Sequence, residues 1–329
     1  MMHYQDKIKK KDSSTQEARQ GVIDFGAFDD EPQALQEQPT PATHNTGKSP
    51  FAGFRYISIG SGSSGNCAYL GNENGGFIVD AGVEVPKVLN TLKANGIEQS
   101  MIKGIIVTHD HSDHVRYVYT LLRTLKTVRL YCTPRVLNGL LRRHNISRRT
   151  KEYHDNIFKE IPFRLAGMSI TAFETSHDAS DNMGFDIDLN GSHFVVATDM
   201  GEINERAQYY MQRANYLVIE TDYDTEMLRQ NPNYPEYLKA RIKGAKGHLD
   251  NETSAQFVAQ NYHPGLKNVF LCHLSEHNNT PELAVGTMIR ALQAKGLSVG
   301  NGSNEPSQRT CDIQVYALPR TEPSLFFIL

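Results

Sequence analysis

The sequence predicts an α/β fold in which the ends of several strands meet at one metal-binding site, and three observations lead to this prediction. Short apolar runs alternate with segments of helical spacing, and no internal repeat is evident. The segment HDHSDH at residues 109–114 follows one apolar run and holds three histidines beside Asp113. Four further apolar runs also end at or just before a histidine or an aspartate.

The apolar runs account for the predicted strands, because short runs bounded by polar turns are typical of buried strands. The runs and the polar residues that follow them are residues 77–79 before Asp80, 105–107 before His109, 170–173 before His177, 194–196 before Asp199 and 269–272 before His273. If these strands lie side by side, their ends converge on one edge of the sheets. The sequence therefore predicts one site built from residues that are far apart in the chain.

Helical spacing and capping signals predict the helices between these strands. Thr133-Pro134 and Thr280-Pro281 each combine an N-cap residue with a proline at the first helical position. The first predicted helix begins near residue 85 and stops at residues 95–96, and the others cover residues 114–126, 134–143, 251–262 and 281–295. Residues 300–308 are predicted to form a flexible loop, and residues 311–318 and 324–329 terminal strands.

The composition describes an ordinary globular chain with a polar beginning. The 329 residues are 39% hydrophobic and carry a net charge of -3, so polyanion binding must come from local basic patches. Residues 1–52 have few periodic apolar positions, which predicts a disordered or loosely attached N-terminal tail before one domain at residues 53–329. Neither a signal peptide nor a membrane-spanning run is evident, and four scattered cysteines indicate a reducing, cytoplasmic setting.

The motifs of the predicted site resemble those of a known family. HDHSDH, together with Asp80, His177, Asp199 and His273, resembles the metallo-β-lactamase superfamily over residues 54–299. The motifs GSGSSGN at residues 60–66, SHDA, TDMG, GHLDN around His248, and CHLSEHNN resemble its YycJ/WalJ group, which is similar to DNA exonucleases. The resemblance implies a four-layer αββα sandwich with a two-metal site at one edge.

The resemblance also implies how these residues share two divalent ions, with Zn²⁺ expected and Mn²⁺ as the alternative. One ion would be bound by His109, His111 and His177, the other by Asp113, His114 and His273, and Asp199 would bridge them. Asp113 would also orient the attacking water. Asp80 would support a histidine ligand or its loop, and a plain turn residue at a strand end is the alternative.

The residue at position 111 favours hydrolysis over redox chemistry. Superfamily members that carry out oxygen chemistry on iron typically have glutamate at the second histidine of the HxHxDH pattern, where this chain has His111. Water bound to a divalent ion such as zinc can ionise near neutral pH and attack phosphorus or a carbonyl carbon.

His248 favours a phosphodiester substrate. It lies 25 residues before His273 and precedes a predicted helix, a layout similar to that of the tRNA 3′-processing endonucleases of the superfamily. In those enzymes such a histidine assists the leaving group, and a leaving alkoxide needs a proton that a general acid can deliver. A surface histidine that caps the helix is the alternative.

Residues that can meet the substrate, including candidates for contact with a phosphate backbone, are predicted in four segments. The glycine- and serine-rich loop offers Ser63, Ser64 and Asn66, and the segment after the last histidine offers Asn278. One basic cluster comprises Lys239, Arg241, Lys243 and Lys246, which adjoins His248, and the other comprises Arg135, Arg142, Arg143, Arg148, Arg149 and Lys151. For each basic cluster, a solvated surface is the alternative.

These features predict a metal-dependent phosphodiesterase, and the resemblance implies a 5′-to-3′ exonuclease that acts on DNA. An RNase or a small-molecule phosphodiesterase would share nearly all of these residues. A thioester, lactone or β-lactam hydrolase of the same fold would not need His248. A metal-stabilised binding module without activity would not need a complete set of ligands. The sequence makes no prediction of oligomeric state.

Overall fold

The computed structural model describes residues 53–144, 146–300 and 311–329. The predicted N-terminal tail, residues 1–52, lies outside the described residues. The predicted loop at residues 300–308 also lies outside them, except for Gly300, which ends a short strand.

The described residues form strands and helices that alternate along the chain. In chain order the strands are β1 (Arg55–Gly60), β2 (Cys67–Asn72), β3 (Gly75–Val79), β4 (Ile102–Ile106), β5 (Arg129–Cys132), β6 (His154–Asn156), β7 (Phe163–Leu165), β8 (Met168–Glu174), β9 (Met183–Leu189), β10 (Ser192–Ala197), β11 (Tyr216–Glu220), β12 (Asn268–Cys272), β13 (Val299–Gly300), β14 (Ile313–Ala317) and β15 (Phe327–Ile328). The helices are α1 (Val85–Ala94), α2 (Ser112–Val115), α3 (Val118–Leu125), α4 (Pro134–Arg143), α5 (Glu205–Met211), α6 (Thr225–Gln230), α7 (Glu236–Lys243), α8 (Asn251–Gln260) and α9 (Pro281–Gln293), and two 3₁₀ helices cover Gln99–Met101 and Arg148–Tyr153.

The strands form two mixed sheets. The first has the order β15-β1-β2-β3-β4-β5-β6, and the second has the order β13-β14-β12-β11-β10-β9-β8-β7. The β3, β4, β5 and β6 strands are parallel in the first sheet, as are β10, β11, β12, β14 and β13 in the second. Parallel strands need crossover connections, and the helices of the chain provide them.

The two sheets pack face to face, and helices cover their outer sides. Aromatic rings join the sheets: the Tyr56 ring on β1 lies 4.9 Å from the Phe194 ring on β10 and 5.0 Å from the Phe270 ring on β12. The α1 helix contacts β1, whereas α5 contacts β8 and β10, and α9 contacts β14. This four-layer arrangement confirms the predicted αββα sandwich.

The capping signals lie where the sequence analysis predicts them. The Thr133 side chain accepts a hydrogen bond of 3.3 Å from the Val136 backbone at the start of α4, and Thr280 does the same for Leu283 at 3.2 Å in α9. The helix predicted at residues 251–262 is α8, where Asp250 is the N-cap. These caps satisfy backbone N–H groups that a helix start otherwise leaves unpaired.

The single helix predicted over residues 114–126 is wrong, because the structure has two short helices, α2 and α3, in its place. The backbone N–H of Tyr117 donates to the Ala81 carbonyl at 2.9 Å, and the Asp113 carbonyl accepts from the Asn66 N–H at 2.7 Å. In a continuous helix these two groups would bond to each other. Contacts with distant loops therefore interrupt the helix directly after the metal motif.

Both terminal strands are present, and the structure gives their places. The β14 strand runs parallel to β12 in the second sheet, and β15 pairs antiparallel with β1 at the edge of the first. Between them, the Arg320 carbonyl accepts a 3.0 Å hydrogen bond from the Ser61 N–H. The C-terminal segment therefore packs against the glycine- and serine-rich loop that follows β1. In the described parts of the chain, no helix has both the length and the apolar character needed to cross a membrane.

A partly buried ion pair at the second sheet gives a prediction about stability and pH. Asp186 accepts from His193 Nδ1 at 2.9 Å and from Arg213 Nη2 at 2.6 Å. The hydrogen bond to Asp186 raises the pKa of His193 above its usual value, although burial opposes the shift. A raised pKa in the folded state stabilises the fold below the unfolded value of about 6.5, and this stabilisation is lost as the pH rises through the folded value.

We therefore expect His193→Gln to lower the free energy of unfolding by about 1 kcal/mol at pH 6, and by less at pH 9. Urea denaturation of the variant and the wild type at both pH values, under the same metal loading, measures the difference. An equal loss at both pH values would show that the charge on His193 contributes nothing.

Candidate metal centre and active site

Residues at the ends of five strands converge on one edge of the sandwich. Asp80 follows β3, the HDHSDH segment follows β4, and His177 lies shortly after β8. Asp199 and His273 follow β10 and β12 in the second sheet. Asp80, Asp199 and His273 have φ values of 60°, 55° and 56°. This left-handed backbone turns the chain sharply away from the strand and costs about 1–3 kcal/mol at each position.

The first group of potential metal ligands consists of His109, His111, His177 and Asp199. The Oδ2 atom of Asp199 lies 3.6 Å from His109 Nε2 and 3.7 Å from His177 Nε2. His111 points its Nδ1 atom toward His177 Nε2, at 3.2 Å. These four side chains surround one point with three nitrogens and one carboxylate oxygen.

The second group consists of Asp113, His114, Asp199 and His273. The same Oδ2 atom of Asp199 lies 3.4 Å from His114 Nε2 and 3.6 Å from His273 Nε2. Asp113 Oδ2 lies 3.5 Å from each of these two nitrogens. Asp199 is thus shared between the two groups.

Both groups fit divalent metal ions. His109 Nε2 and His273 Nε2 are buried, and within the described parts of the chain neither has a hydrogen-bond partner. Buried polar atoms normally have a partner, so these two nitrogens are suited to an ion. Ligands about 2.0–2.1 Å from a tetrahedral zinc ion lie about 3.4 Å apart, which is close to the separations in both groups. Such nitrogen and oxygen ligand sets suit zinc and also manganese.

The electrostatics of the site depend on burial and on the carboxylate at its centre. Burial raises the pKa of Asp199, but the imidazoles of His273 and His114 outweigh it and hold that pKa well below its usual range. Burial also lowers the pKa of His109, which keeps its imidazole neutral. An ionised carboxylate and a neutral imidazole are the forms that bind metals.

Asp80 lies behind the second group and contacts one of its members. Its Oδ2 atom lies 2.8 Å from His114 Nδ1, and its Oδ1 accepts from the Thr108 N–H at 2.8 Å. The contact fixes the His114 ring with its Nε2 atom toward Asp199. A carboxylate that holds the far nitrogen of a histidine in this way orients the ring and raises its basicity as a ligand.

His248 lies beside the second group and is held by Glu220, which the sequence analysis missed. Glu220 is fully buried, and its Oε1 atom lies 2.6 Å from His248 Nδ1. The His248 ring stacks on the His273 ring with centroids 5.2 Å apart. Burial lowers the pKa of His248, but Glu220 and Asp222 outweigh it and raise that pKa to about 9.

Glu220 shows the sequence pattern of the predicted site residues, because it also comes at the end of a short apolar run. It is the last residue of β11 and comes directly after the apolar residues 217–219. Its Oε2 atom accepts a 2.7 Å hydrogen bond from the Met200 N–H, one residue after Asp199. Asp222, also missed, places Oδ1 3.5 Å from His273 Nδ1. The two carboxylates therefore surround His273 from the side that faces away from Asp199.

The predicted substrate residues of the glycine- and serine-rich loop have different positions. Asn66 is buried, and its Nδ2 atom lies 2.9 Å from His114 Nε2 and 3.1 Å from Asp113 Oδ2. Ser63 is exposed and lines a cleft beside the metal centre, whereas Ser64 lines a separate depression. Asn66 therefore contacts two residues of the second group, whereas Ser63 is open to the cleft.

The cleft beside the metal centre has a volume of about 220 Å³. The cleft is lined by His177, His248 and His273, and also by Asn278, which is buried. Among the cations of the predicted basic cluster near His248, Arg241 lines this cleft and Lys246 does not. Lys239 is buried and donates to the Arg229 carbonyl at 2.9 Å.

The other predicted basic cluster, at residues 135–151, is not part of the cleft. Arg143 Nε lies 3.6 Å from Asp110 Oδ2, and Arg149 Nε lies 3.6 Å from Glu152 Oε1. These residues lie on α4 and on the 3₁₀ helix that follows it.

Comparisons with known proteins agree with this fold. Residues 77–273 match the family model described as a beta-lactamase superfamily domain. The chain is 31% identical to the exodeoxyribonuclease YycJ of Bacillus anthracis over 249 residues, which are 75% of this chain and 92% of that protein. It is also 31% identical to the exodeoxyribonuclease WalJ of Streptococcus pneumoniae, with 75% and 91% covered.

A solved structure shows the same fold at low sequence identity. The metallo-β-lactamase fold protein YhfI of Bacillus subtilis superposes with a TM-score of 0.59 at 13% identity, over 83% of this chain and 99% of that one. The resemblance found in the motifs is thereby confirmed along most of the chain. The chain belongs to the metallo-β-lactamase superfamily and is a metallohydrolase of that superfamily.

Proposed function

We propose that the protein is a two-metal phosphodiesterase that degrades DNA from the 5′ end. The observation that carries the proposal is His248, whose Nδ1 atom is held by the buried Glu220 while the ring lines the cleft beside the metal ligands. With Nδ1 engaged, Nε2 is the nitrogen left to contact a substrate. A histidine fixed in this way can protonate an alkoxide as it leaves.

The proposed ligands follow the two groups seen at the site. One ion would be bound by His109, His111 and His177, and the other ion by Asp113, His114 and His273. Asp199 would bind both ions. Divalent ions bound there, zinc or manganese, supply charge stabilisation for a phosphate and an ionised water. We propose that Asp113 orients the attacking water, that Asp80 positions His114, and that His248 protonates the leaving 3′ oxygen.

Cations outside the cleft support a substrate with several phosphates. Lys87, Arg116 and Arg320 line a depression of about 180 Å³ on the other side of the glycine- and serine-rich loop, together with Ser64. Arg116 donates to the Ser64 carbonyl at 3.5 Å, and Arg320 donates to the Ser275 carbonyl at 3.2 Å. These backbone carbonyls are neutral, so the positive charges of Arg116 and Arg320 remain available for a phosphate. Glu84 also lines the depression.

The names of the curated relatives favour DNA among the polymers. The YycJ and WalJ relatives, which each match three quarters of this chain, are named exodeoxyribonucleases. The four cysteines are unpaired, and Cys67, Cys132 and Cys272 are buried, which supports a cytoplasmic location for the proposed activity.

The test is a cleavage assay with 5′-labelled and 3′-labelled single- and double-stranded DNA and RNA, with zinc or manganese. We expect stepwise loss of nucleotides from the 5′ end of DNA, and an Asp113→Ala variant is expected to lose this activity. Preferred cleavage of RNA would make the enzyme a ribonuclease. Hydrolysis of a thioester or a lactone without any polymer cleavage would contradict a phosphodiester substrate.

A further inference from the structure

The α7 helix forms the wall of the cleft that faces the metal centre. Leu238, Arg241 and Ile242 lie on this helix and line the cleft, and Tyr234 lines it from the turn just before the helix. The spacing of these residues places them on one side of the helix, one or two turns apart. The wall therefore combines an aromatic ring, two aliphatic side chains and one cation.

The turn that carries Tyr234 is tied to the loop that follows His273. Asn231 Nδ2 donates to Asn278 Oδ1 at 2.7 Å, and the Asp224 N–H donates to the Asn278 carbonyl at 2.8 Å. The Tyr234 ring also contacts the His277 ring edge to face, with centroids 6.3 Å apart. Tyr234 is half-buried, and these contacts hold it where it lines the cleft.

Arg241 connects the same wall to the metal ligands. Its Nε and Nη2 atoms donate to Asp178 Oδ2 at 2.8 and 2.6 Å. Asp178 Oδ1 in turn lies 3.5 Å from His111 Nε2 and 3.7 Å from His177 Nε2. Asp178 offsets part of the positive charge of Arg241. A guanidinium group has five N–H donors, however, so Arg241 has donors left for a phosphate while it keeps its contact with Asp178.

We propose that this cleft is a pocket for one unpaired nucleotide, in which Tyr234 stacks on the base and Arg241 binds the phosphate next to the scissile bond. The inference rests on the proposed phosphodiesterase function. A bare phosphate would need the cation alone, whereas Tyr234, Leu238 and Ile242 add an apolar surface of the kind that bases stack on. The nucleoside lies beside His248, on the side of the leaving 3′ oxygen.

The size of the cleft sets the class of substrate. Pockets for drug-sized ligands have volumes of about 300–1,000 Å³, and this cleft has about 220 Å³. We therefore expect one unpaired base to occupy the cleft, and single strands or frayed ends to be degraded faster than blunt duplex ends.

The test compares two single-stranded DNA oligonucleotides that differ in their first nucleotide, which is either thymidine or an abasic analogue. The wild type is expected to release the thymidine nucleotide with about tenfold higher kcat/KM. Tyr234→Leu is expected to remove this preference, because it lowers the rate for the thymidine oligonucleotide alone. Tyr234→Phe keeps the ring and is expected to keep the preference. Arg241→Gln is expected to raise KM about tenfold for both oligonucleotides.

The matched control is Tyr237→Leu, because Tyr237 lies on the same helix, is 78% exposed and does not line the cleft. Bis(p-nitrophenyl) phosphate, which has no base, reports the integrity of the metal centre in every variant. A Tyr234→Leu variant that behaves like the control and keeps the preference for thymidine would overturn the pocket while leaving the phosphodiesterase in place. A wild type that hydrolyses neither the oligonucleotides nor the small diester would overturn the proposed function itself, and the pocket with it.

Discussion

Replacement of Asp199 by asparagine is expected to lower phosphodiester hydrolysis by more than about a hundredfold. Loss of a group that only supports a metal ligand already costs about 10- to 100-fold. Asp199 is a member of both groups of potential ligands, so we expect a larger loss. Its Oδ2 atom is within 3.7 Å of imidazole nitrogens in both groups of ligands. The substitution removes the central charge and one of the carboxylate oxygens that could bind an ion.

Asparagine is the informative choice because it separates chemistry from folding. The backbone of Asp199 has a φ of 55°, and asparagine tolerates this conformation as well as aspartate does. The variant should therefore fold, and its metal content and its kcat on bis(p-nitrophenyl) phosphate can both be measured. Asp188→Asn is a suitable control, because Asp188 accepts a hydrogen bond from Gly191 at the end of β9, away from the site. Full activity with a full metal content would contradict the assignment of Asp199.

Replacement of His248 by glutamine is expected to lower kcat on DNA by about 10²–10⁴-fold, the usual contribution of a general acid. The decisive comparison is between leaving groups. An alkoxide that leaves from DNA needs a proton, whereas p-nitrophenolate leaves without one. The same variant should therefore hydrolyse bis(p-nitrophenyl) phosphate nearly as fast as the wild type.

A second variant tests the residue that holds His248. Glu220→Gln keeps a polar contact with His248 but removes the charge that favours its protonated form. It is expected to lose part of the activity on DNA, with a smaller loss than His248→Gln. An equal loss of activity on both substrates in the His248→Gln variant would show that His248 supports the metal centre rather than the leaving group.

Signals that are local in the sequence predicted much of this molecule. The five strands that lead to the site, and the caps Thr133 and Thr280, depend on neighbouring residues, and the structure has them where the sequence indicates. The residues predicted as ligands meet because strand ends in a sandwich share one edge. The family model and the curated relatives then confirm the superfamily that these motifs resemble.

Features that depend on distant partners could not be predicted in this way. The break between α2 and α3 follows from backbone hydrogen bonds to Ala81 and Asn66, which lie more than 30 residues earlier. The cleft wall on α7 follows from how residues 221–250 fold back over the metal centre, which no local pattern in that segment indicates. Glu220 is a different case, since it follows an apolar run and the same local pattern predicts its position.

The left-handed residues at the strand ends affect how substitutions in this family should be interpreted. Asp80, Asp199 and His273 turn the chain within one residue, and aspartate and histidine are among the few non-glycine residue types that are common in this conformation. Aspartate and histidine can therefore bind or support a metal and can also adopt the left-handed conformation that these positions require. An alignment that shows little variation at positions 80, 199 and 273 would record two separate selective pressures. Sequence variability alone would therefore overstate the catalytic importance of these positions relative to His109 or His177, whose backbones carry no such restriction.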